Sequence, residues 1–354
     1  MSDDSSRANQ GRLARAVLAA LAVIGAFLIV LPMATGLPGK SAATANMMTA
    51  FRPVMSDAAL AQGQADQQTM AAMAQQLNTG MIPGLAAQMH MTPQQLSAYL
   101  GTNFPAVGKG MTEFGTILPF FGNLQTTMQA QQANFQQADQ IPTGYMGPTK
   151  MSVLFVIPGL LLLLVGSVGL LRPRSTRKML AAGSAIGLVV VGGLLSVSMY
   201  GKATAADAMT SAFKPIFATQ NVQQARAYTD TVKAMSTQFT QQALPGLATA
   251  LHVTPVELTG MITKNFPAVA TGVAQLPQIV QRMDGATGLI EGNVDNFNQS
   301  ASIPWSPGSM IAMFWFMMVP GLLALALGAG ALVFTQRRRT LVLPQPRRHS
   351  AAHI

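Results

Sequence analysis

Four stretches of this chain are almost wholly apolar, and between them apolar positions recur with helical spacing. The stretches run from Val17 to Leu37, Ser152 to Leu171, Met179 to Met199 and Met310 to Phe334, and none holds a charged residue. A helix needs about 20 such residues to cross the hydrocarbon core of a bilayer, so each stretch is predicted to be a membrane span. Small residues from Ala42 to Ala45 follow the first span, as they would a signal peptide. Its counterpart from Met179 lies mid-chain, however, and this favours an uncleaved anchor.

The two long segments between spans read as helical. Met70, Met73, Leu77 and Met81 recur at steps of three and four, and Val232, Met235 and Phe239 match them in the second segment. Pro83-Gly84 and Pro245-Gly246 are expected to interrupt that face. A short helix follows, with Thr92 as N-cap, Pro93 at its first position and Gln95 completing a capping box; Thr254, Pro255 and Glu257 repeat the signal. Asn103-Phe104-Pro105 and Asn265-Phe266-Pro267 then break the chain before a further apolar run, and a last helix is expected around Leu124 to Phe135. No period-two alternation is present, so no sheet is expected.

The correspondence between the segments is a duplication. At a fixed offset of 162 residues, Phe51–Val107 shares 21 identities in 57 positions with its partner, and no gap is needed. Pro83, Gly84, His90, Thr92, Pro93, Asn103, Phe104 and Pro105 fall on Pro245, Gly246, His252, Thr254, Pro255, Asn265, Phe266 and Pro267. Each unit is a span, a loop domain and a second span, so the chain returns to its starting side and the repeats are parallel. The expected symmetry is a pseudo-two-fold along the membrane normal. Gly183 and Gly187 form a small-xxx-small pair of the kind that lets spans approach closely.

Charge supplies the sidedness. The chain is only 10% charged, lacks cysteine and carries a net +10. Twelve basic residues flank the spans on one side: Arg7, Arg12 and Arg15; Arg172, Arg174, Arg177 and Lys178; and Arg337, Arg338, Arg339, Arg347 and Arg348. The loops hold ten basic and ten acidic residues and are neutral. The positive-inside rule therefore assigns the basic side to the cytoplasm of a plasma-membrane protein. The predicted order is a cytoplasmic N-terminus at 1–16, a span at 17–37, an extracytoplasmic helical domain at 38–151, a span at 152–171, and a cytoplasmic basic turn at 172–178. A span at 179–199, a second extracytoplasmic helical domain at 200–308, a span at 309–335 and a cytoplasmic basic tail at 336–354 complete it. The expected fold class is all-α, a polytopic membrane protein with four transmembrane helices and two tandem-repeat extracytoplasmic helical bundles. Because the excess charge is a topology signal, it gives no reason to expect nucleic acid as a partner. The first loop carries 16 glutamines against eight charged residues, a neutral polar face suited to solvent or to a protein partner.

Candidate chemistry is sparse. Met89-His90-Met91 has the donor types of a soft-metal site, but the partner repeat reads Leu251-His252-Val253 and loses both sulfurs. A structural role at the carboxyl end of a helix accounts for both histidines. No loop acid has an acid at its equivalent position, and no GxSxG, HExxH or phosphate-binding glycine loop occurs. The spans carry no ionisable residue of the kind that marks an ion relay. No catalytic, metal or cofactor-binding residue is therefore assigned, and no enzyme activity is expected.

The duplicated Pro-Gly-Leu-Ala, His-x-Thr-Pro and Asn-Phe-Pro-Ala-Val motifs resemble those of duplicated four-span membrane proteins of actinobacterial cell envelopes. That resemblance implies the architecture and carries no activity with it. The expected partners are the lipid bilayer and an envelope protein or a second copy of the chain. The leading expectation is an accessory or scaffold subunit that presents paired helical domains to an envelope complex. The alternative is a binder of an apolar ligand such as a lipid, and a contiguous cavity among Met70, Met73, Phe104 and Met111 would mark it.

Overall fold

A computed structural model describes residues 2–143, 145–305 and 308–337; the basic tail beyond Arg337, with Arg338, Arg339, Arg347 and Arg348, lies outside the described residues. The fold is all-helical. Its first half comprises α1 (Ser2–Ala34), α2 (Leu37–Phe51), α3 (Asp57–Gln76), α4 (Ile82–Gln88), α5 (Pro93–Asn103), α6 (Pro105–Asp139) and α7 (Met151–Leu171). Its second half comprises α8 (Thr176–Ser196), α9 (Met199–Phe213), α10 (Thr219–Gln238), α11 (Leu244–Ala250), α12 (Pro255–Asn265), α13 (Pro267–Gly292), α14 (Val294–Ala301) and α15 (Met310–Arg337). Among the described residues the only β pairing is an isolated bridge between Thr143 and Met146.

Four helical stretches are long and apolar enough to span a membrane: Gly11–Ala34, Pro148–Leu171, Thr176–Ser196 and Met310–Phe334. The first and third end at Ala34 and Ser196, short of the expected Leu37 and Met199. The chain breaks there because Gly36 and Ser198 adopt the left-handed conformation, with φ of 66° and 52°. The N–H groups of Thr35 and Gly36 close the end of α1 on Leu31 and Met33, and Val197 and Ser198 do the same on Gly193 and Leu195.

The described residues fall into two compact units. One takes the described residues of 2–45, 137–207 and 299–337; the other takes Asn46–Gln136 and Ala208–Asn298. The middle parts of both loops thus share a single unit, where the sequence reading expected two bundles.

In the first unit the spans pack as close pairs, α1 with α7 and α8 with α15. Small residues set the approach. A side chain on Gly25 would overlap the backbone of Gly159 and Leu163, and one on Gly187 would overlap Gly321 and Leu325. Gly183, the other half of the small pair, faces the Leu21 side chain. Near the loop ends, the Lys40 ammonium donates to the carbonyls of Ser302 and Pro304, both at 2.8 Å, and burial lowers its pKa. Lys202, 162 positions on, donates to the carbonyls of Gln140 at 3.1 Å and Pro142 at 3.4 Å. Asp207 accepts from the backbone N–H of Met310 at 2.7 Å and from Ile311 at 3.2 Å, and so caps α15 at its dipole-positive end.

In the second unit the expected interruption at Pro83 is a widening of the helix. Leu77–Met81 forms a π-turn that delivers Pro83 to the first turn of α4, and Phe239–Ala243 does the same for Pro245. A proline ring clashes with the carbonyl four residues back in a regular helix, and the extra residue of a π-turn relieves that clash. The expected apolar run and last helix of the first loop are one continuous helix, α6, which passes through Pro119. The second loop breaks instead at Asn293, between α13 and α14.

Candidate functional site

Of the sixteen residues of the repeated motifs, the Pro-Gly and Asn-Phe-Pro elements meet between the two loops, while the histidines and the Thr-Pro pairs end and start helices locally. Thr92 and Thr254 sit in extended backbone, each with φ −77° and ψ 155°, and each forms a full capping box with Gln95 or Glu257. Pro93 and Pro255 occupy the first turn, where no backbone donor is needed. The Glu257 carboxyl is held below its usual range, first by the backbone N–H of Thr254 and then by its hydroxyl. His90 and His252 precede these caps in left-handed backbone, with φ of 54° and 55°, and both side chains are exposed. Each supplies the reversal that ends α4 or α11: the N–H of His90 bonds Ala87, and that of Met91 bonds Ala86.

Asn103-Phe104-Pro105 ends α5 and starts α6. The Asn103 amide donates to the Tyr99 carbonyl at 2.9 Å, while Phe104 adopts a non-helical φ of −134° that throws its ring across the unit. The ring lies over Gly246 of the other loop, 2.7 Å from where a Cβ would stand, and Phe266 lies over Gly84 at 3.3 Å. The Pro-Gly and Asn-Phe-Pro motifs are therefore two sides of one contact, made twice.

A second interlock was missed from the sequence. The Gln76 side-chain oxygen accepts from Ala268 N–H at 2.7 Å and Val269 N–H at 3.1 Å, and Gln238 accepts from Ala106 and Val107 at 2.7 and 3.2 Å. Each glutamine caps the helix of the opposite loop. Its signal was identity at the 162-residue offset, in a position whose polar character served no local purpose.

The core behind this junction is tight. Met73, Leu77 and Met111 line a wholly apolar void of about 50 Å³, well below the roughly 300–1,000 Å³ of small-molecule sites. Phe104 is spent on Gly246. The methionine set singled out from the sequence does not enclose a ligand space.

A larger cavity, about 390 Å³, opens between α3, α6 and α13. Its floor includes the buried Met70, Ile117 and Ile279, and its walls include Phe121 and Met128. Its polar lining is Gln62, Asp66, Gln67, Gln125 and Arg282, of which three form one cluster. Arg282 donates from Nε to one oxygen of Asp66 at 2.6 Å and from Nη2 to the other at 2.7 Å. Gln62 adds a bond to Asp66 at 2.8 Å. The Asp66 side chain is 11% exposed and that of Arg282 is 40% exposed, so the carboxylate lies within and the guanidinium faces out. The offset could not have revealed this pair, since the positions equivalent to Asp66 and Arg282 hold Tyr228 and Phe120. Those two rings meet edge to face, 5.4 Å between centroids. Arg226 bridges Glu291 and Asp284 elsewhere in the unit, at 2.5 and 2.6 Å, and holds both carboxyls below their usual range.

Neither a protein-family model nor a curated protein matches the chain.

Proposed function

We propose that this protein is a membrane-anchored binding module that holds an apolar chain in the cavity between α3, α6 and α13, outside the cytoplasm. The observation that carries the reading is the cavity itself. It falls within the roughly 300–1,000 Å³ of small-molecule sites, is largely apolar, and has a few convergent polar groups at its rim. The reading reverses the order of the two sequence expectations, because the space lies at Met70 and Met128 rather than in the packed core around Met73 and Met111. Duplication and sidedness belong to the same proposal. Two parallel repeats place both loops on one face, and the basic flanks put that face outside.

The scaffold reading rests on a different observation, the excess of glutamine over charged residues in the first loop. It predicts a protein partner and no stoichiometric ligand. The two separate when the full chain is purified in amphipol and titrated with an environment-sensitive naphthylamine dye. A saturable site that Ala286→Phe abolishes, with the thermal midpoint preserved, supports the cavity; Ala286 lines it, and a phenyl group there would take up part of its space. Uptake unchanged by Ala286→Phe, or no saturable uptake, overturns the reading.

A further inference from the structure

We infer that the ligand is a single-chain amphiphile with an anionic oxyacid head, carboxylate or phosphate, seated on the outer edge of Arg282, one per chain. This rests on the cavity being the ligand site and names what enters it. The argument starts from which hydrogen-bonding capacity the rim has left. Asp66 accepts from Gln62 and from two nitrogens of Arg282, which uses three of the about four acceptor sites a carboxylate offers. The guanidinium has five N–H groups and directs two at Asp66, which leaves donors on the side that is exposed at the rim. Donors in a planar fork match the oxygens of a carboxylate or phosphate, and because the cation is the more exposed member of the Arg282–Asp66 pair, an ammonium head would meet the guanidinium before the carboxylate. Below the rim the walls change to Met70, Ile117, Phe121 and Met128. A charged head above an apolar channel is the complement of an amphiphile. The volume sits near the lower end of the range for small-molecule sites and suits one alkyl chain.

The count of one follows from the broken symmetry. At the equivalent positions the chain has Phe120 against Tyr228, a pair of rings with no charged donor. The duplication therefore kept two copies of the interlock and put a charged rim on only one of them.

The test uses the full chain in amphipol, with hexadecanoic acid, hexadecyl phosphate, hexadecanol and hexadecylamine displacing the dye. The acid or the phosphate should outcompete the alcohol by about tenfold, the worth of a charge-assisted hydrogen bond, at one site per chain, and the stronger of the two identifies the head. Arg282→Gln should bring the acidic probes down to the level of hexadecanol and leave hexadecanol unchanged. Because that variant leaves Asp66 without its cation, Asp66→Asn/Arg282→Gln, which removes both charges, should give the same loss. Acid and alcohol binding equally to the wild type, or an acid preference that survives in the double variant, would overturn the head assignment while the cavity stands. Failure of all four probes to displace the dye would overturn the cavity reading as well.

Discussion

The side-chain oxygen of Gln76 lies 2.7 Å from the backbone nitrogen of Ala268, so a residue at the end of α3 caps the start of α13 in the opposite loop. Pro267 opens α13 without a donor, and the next two N–H groups both fall to Gln76. Gln238 does the same for α6. Removing either glutamine strands two partly buried donors. Gln76→Ala and Gln238→Ala should each cost about 1–2 kcal/mol. Amide exchange at Ala268 and Val269 should quicken in the first variant and at Ala106 and Val107 in the second. Exchange that quickens around α3 instead would show that Gln76 supports its own helix and not its neighbour.

The histidines yield a prediction about backbone. A left-handed residue with a Cβ carries a penalty of roughly 1–2 kcal/mol that glycine avoids. His90→Gly and His252→Gly should therefore be neutral or stabilising in thermal melts, and His90→Val should be destabilising, since β-branching tolerates positive φ least. Thr92→Ala and Thr254→Ala should cost about 1 kcal/mol through the lost caps. A His90→Gly variant that melts well below the wild type would mean that the imidazole makes a contact of its own.

Acid should weaken the loop unit through a definable set of carboxylates. Asp284 and Glu291 lie below their usual values of 3.8 and 4.5, chiefly because Arg226 hydrogen-bonds their charged forms; Lys233 adds to the effect at Asp284. A folded pKa below the unfolded one gives stability that is fully present above the unfolded value and is lost as pH falls through the folded value. Thermal midpoints should thus be insensitive to these groups from pH 7 to about pH 5 and should fall below about pH 4. Arg226→Gln should lower the midpoint at neutral pH and flatten the acid limb. Parallel curves for the two proteins would remove Arg226 as the source.

Sidedness can be read by labelling, because the chain has no cysteine of its own. Asn293 is buried and would label poorly, so the exposed Ala130 and Asn298 are the better loop positions, with Ser175 for the basic turn. Single cysteines at Ala130 and Asn298 should react with an impermeant thiol reagent in intact cells, and one at Ser175 only after lysis. The reverse pattern would invert the orientation.

What the sequence made legible was local. A run of about 20 uncharged residues needs no partner to be read as a span, and Thr-Pro-x-Gln announces a cap within four residues. Positions that depend on distant partners were not legible. Gln76 and Ala268 are far apart in the chain, and comparison at a fixed offset aligns equivalent residues without saying which of them touch. The same comparison set Asp66 aside, because no acid occupies Tyr228; the partner of Asp66 is Arg282, at a position with no matching charge. The left-handed breaks at Gly36 and Ser198 and the π-turns before Pro83 and Pro245 escaped notice for a related reason. The π-turns answer the prolines that follow them, and Gly36 is a helix-end glycine, but each sits within an apolar or polar run that reads as continuous helix.

The contact between Phe104 and Gly246 allows two opposing magnitudes to be weighed. Gly84 and Gly246 lie inside α4 and α11, where replacing glycine by alanine gains about 0.8–1 kcal/mol of helix propensity. Against this stands the ring of the opposite loop. At Gly84 a Cβ would come no nearer than 3.3 Å to Phe266, a distance met by a shift of a few tenths of an ångström. At Gly246 it would lie 2.7 Å from Phe104, closer than a methyl group and an aromatic carbon can approach, and overpacking of that kind costs about 1–3 kcal/mol. Gly84→Ala should therefore be neutral or slightly stabilising, and Gly246→Ala less favourable, destabilising by up to about 2 kcal/mol once propensity is subtracted. The difference should vanish when Phe104 is made smaller. In a Phe104→Leu background, Gly246→Ala should recover its propensity gain, so a double-mutant cycle of thermal or denaturant midpoints should show coupling of about 1 kcal/mol or more. Additive effects would mean that Phe104 and Gly246 do not share a contact, and the motif pairing that joins the two loops would lose its main support.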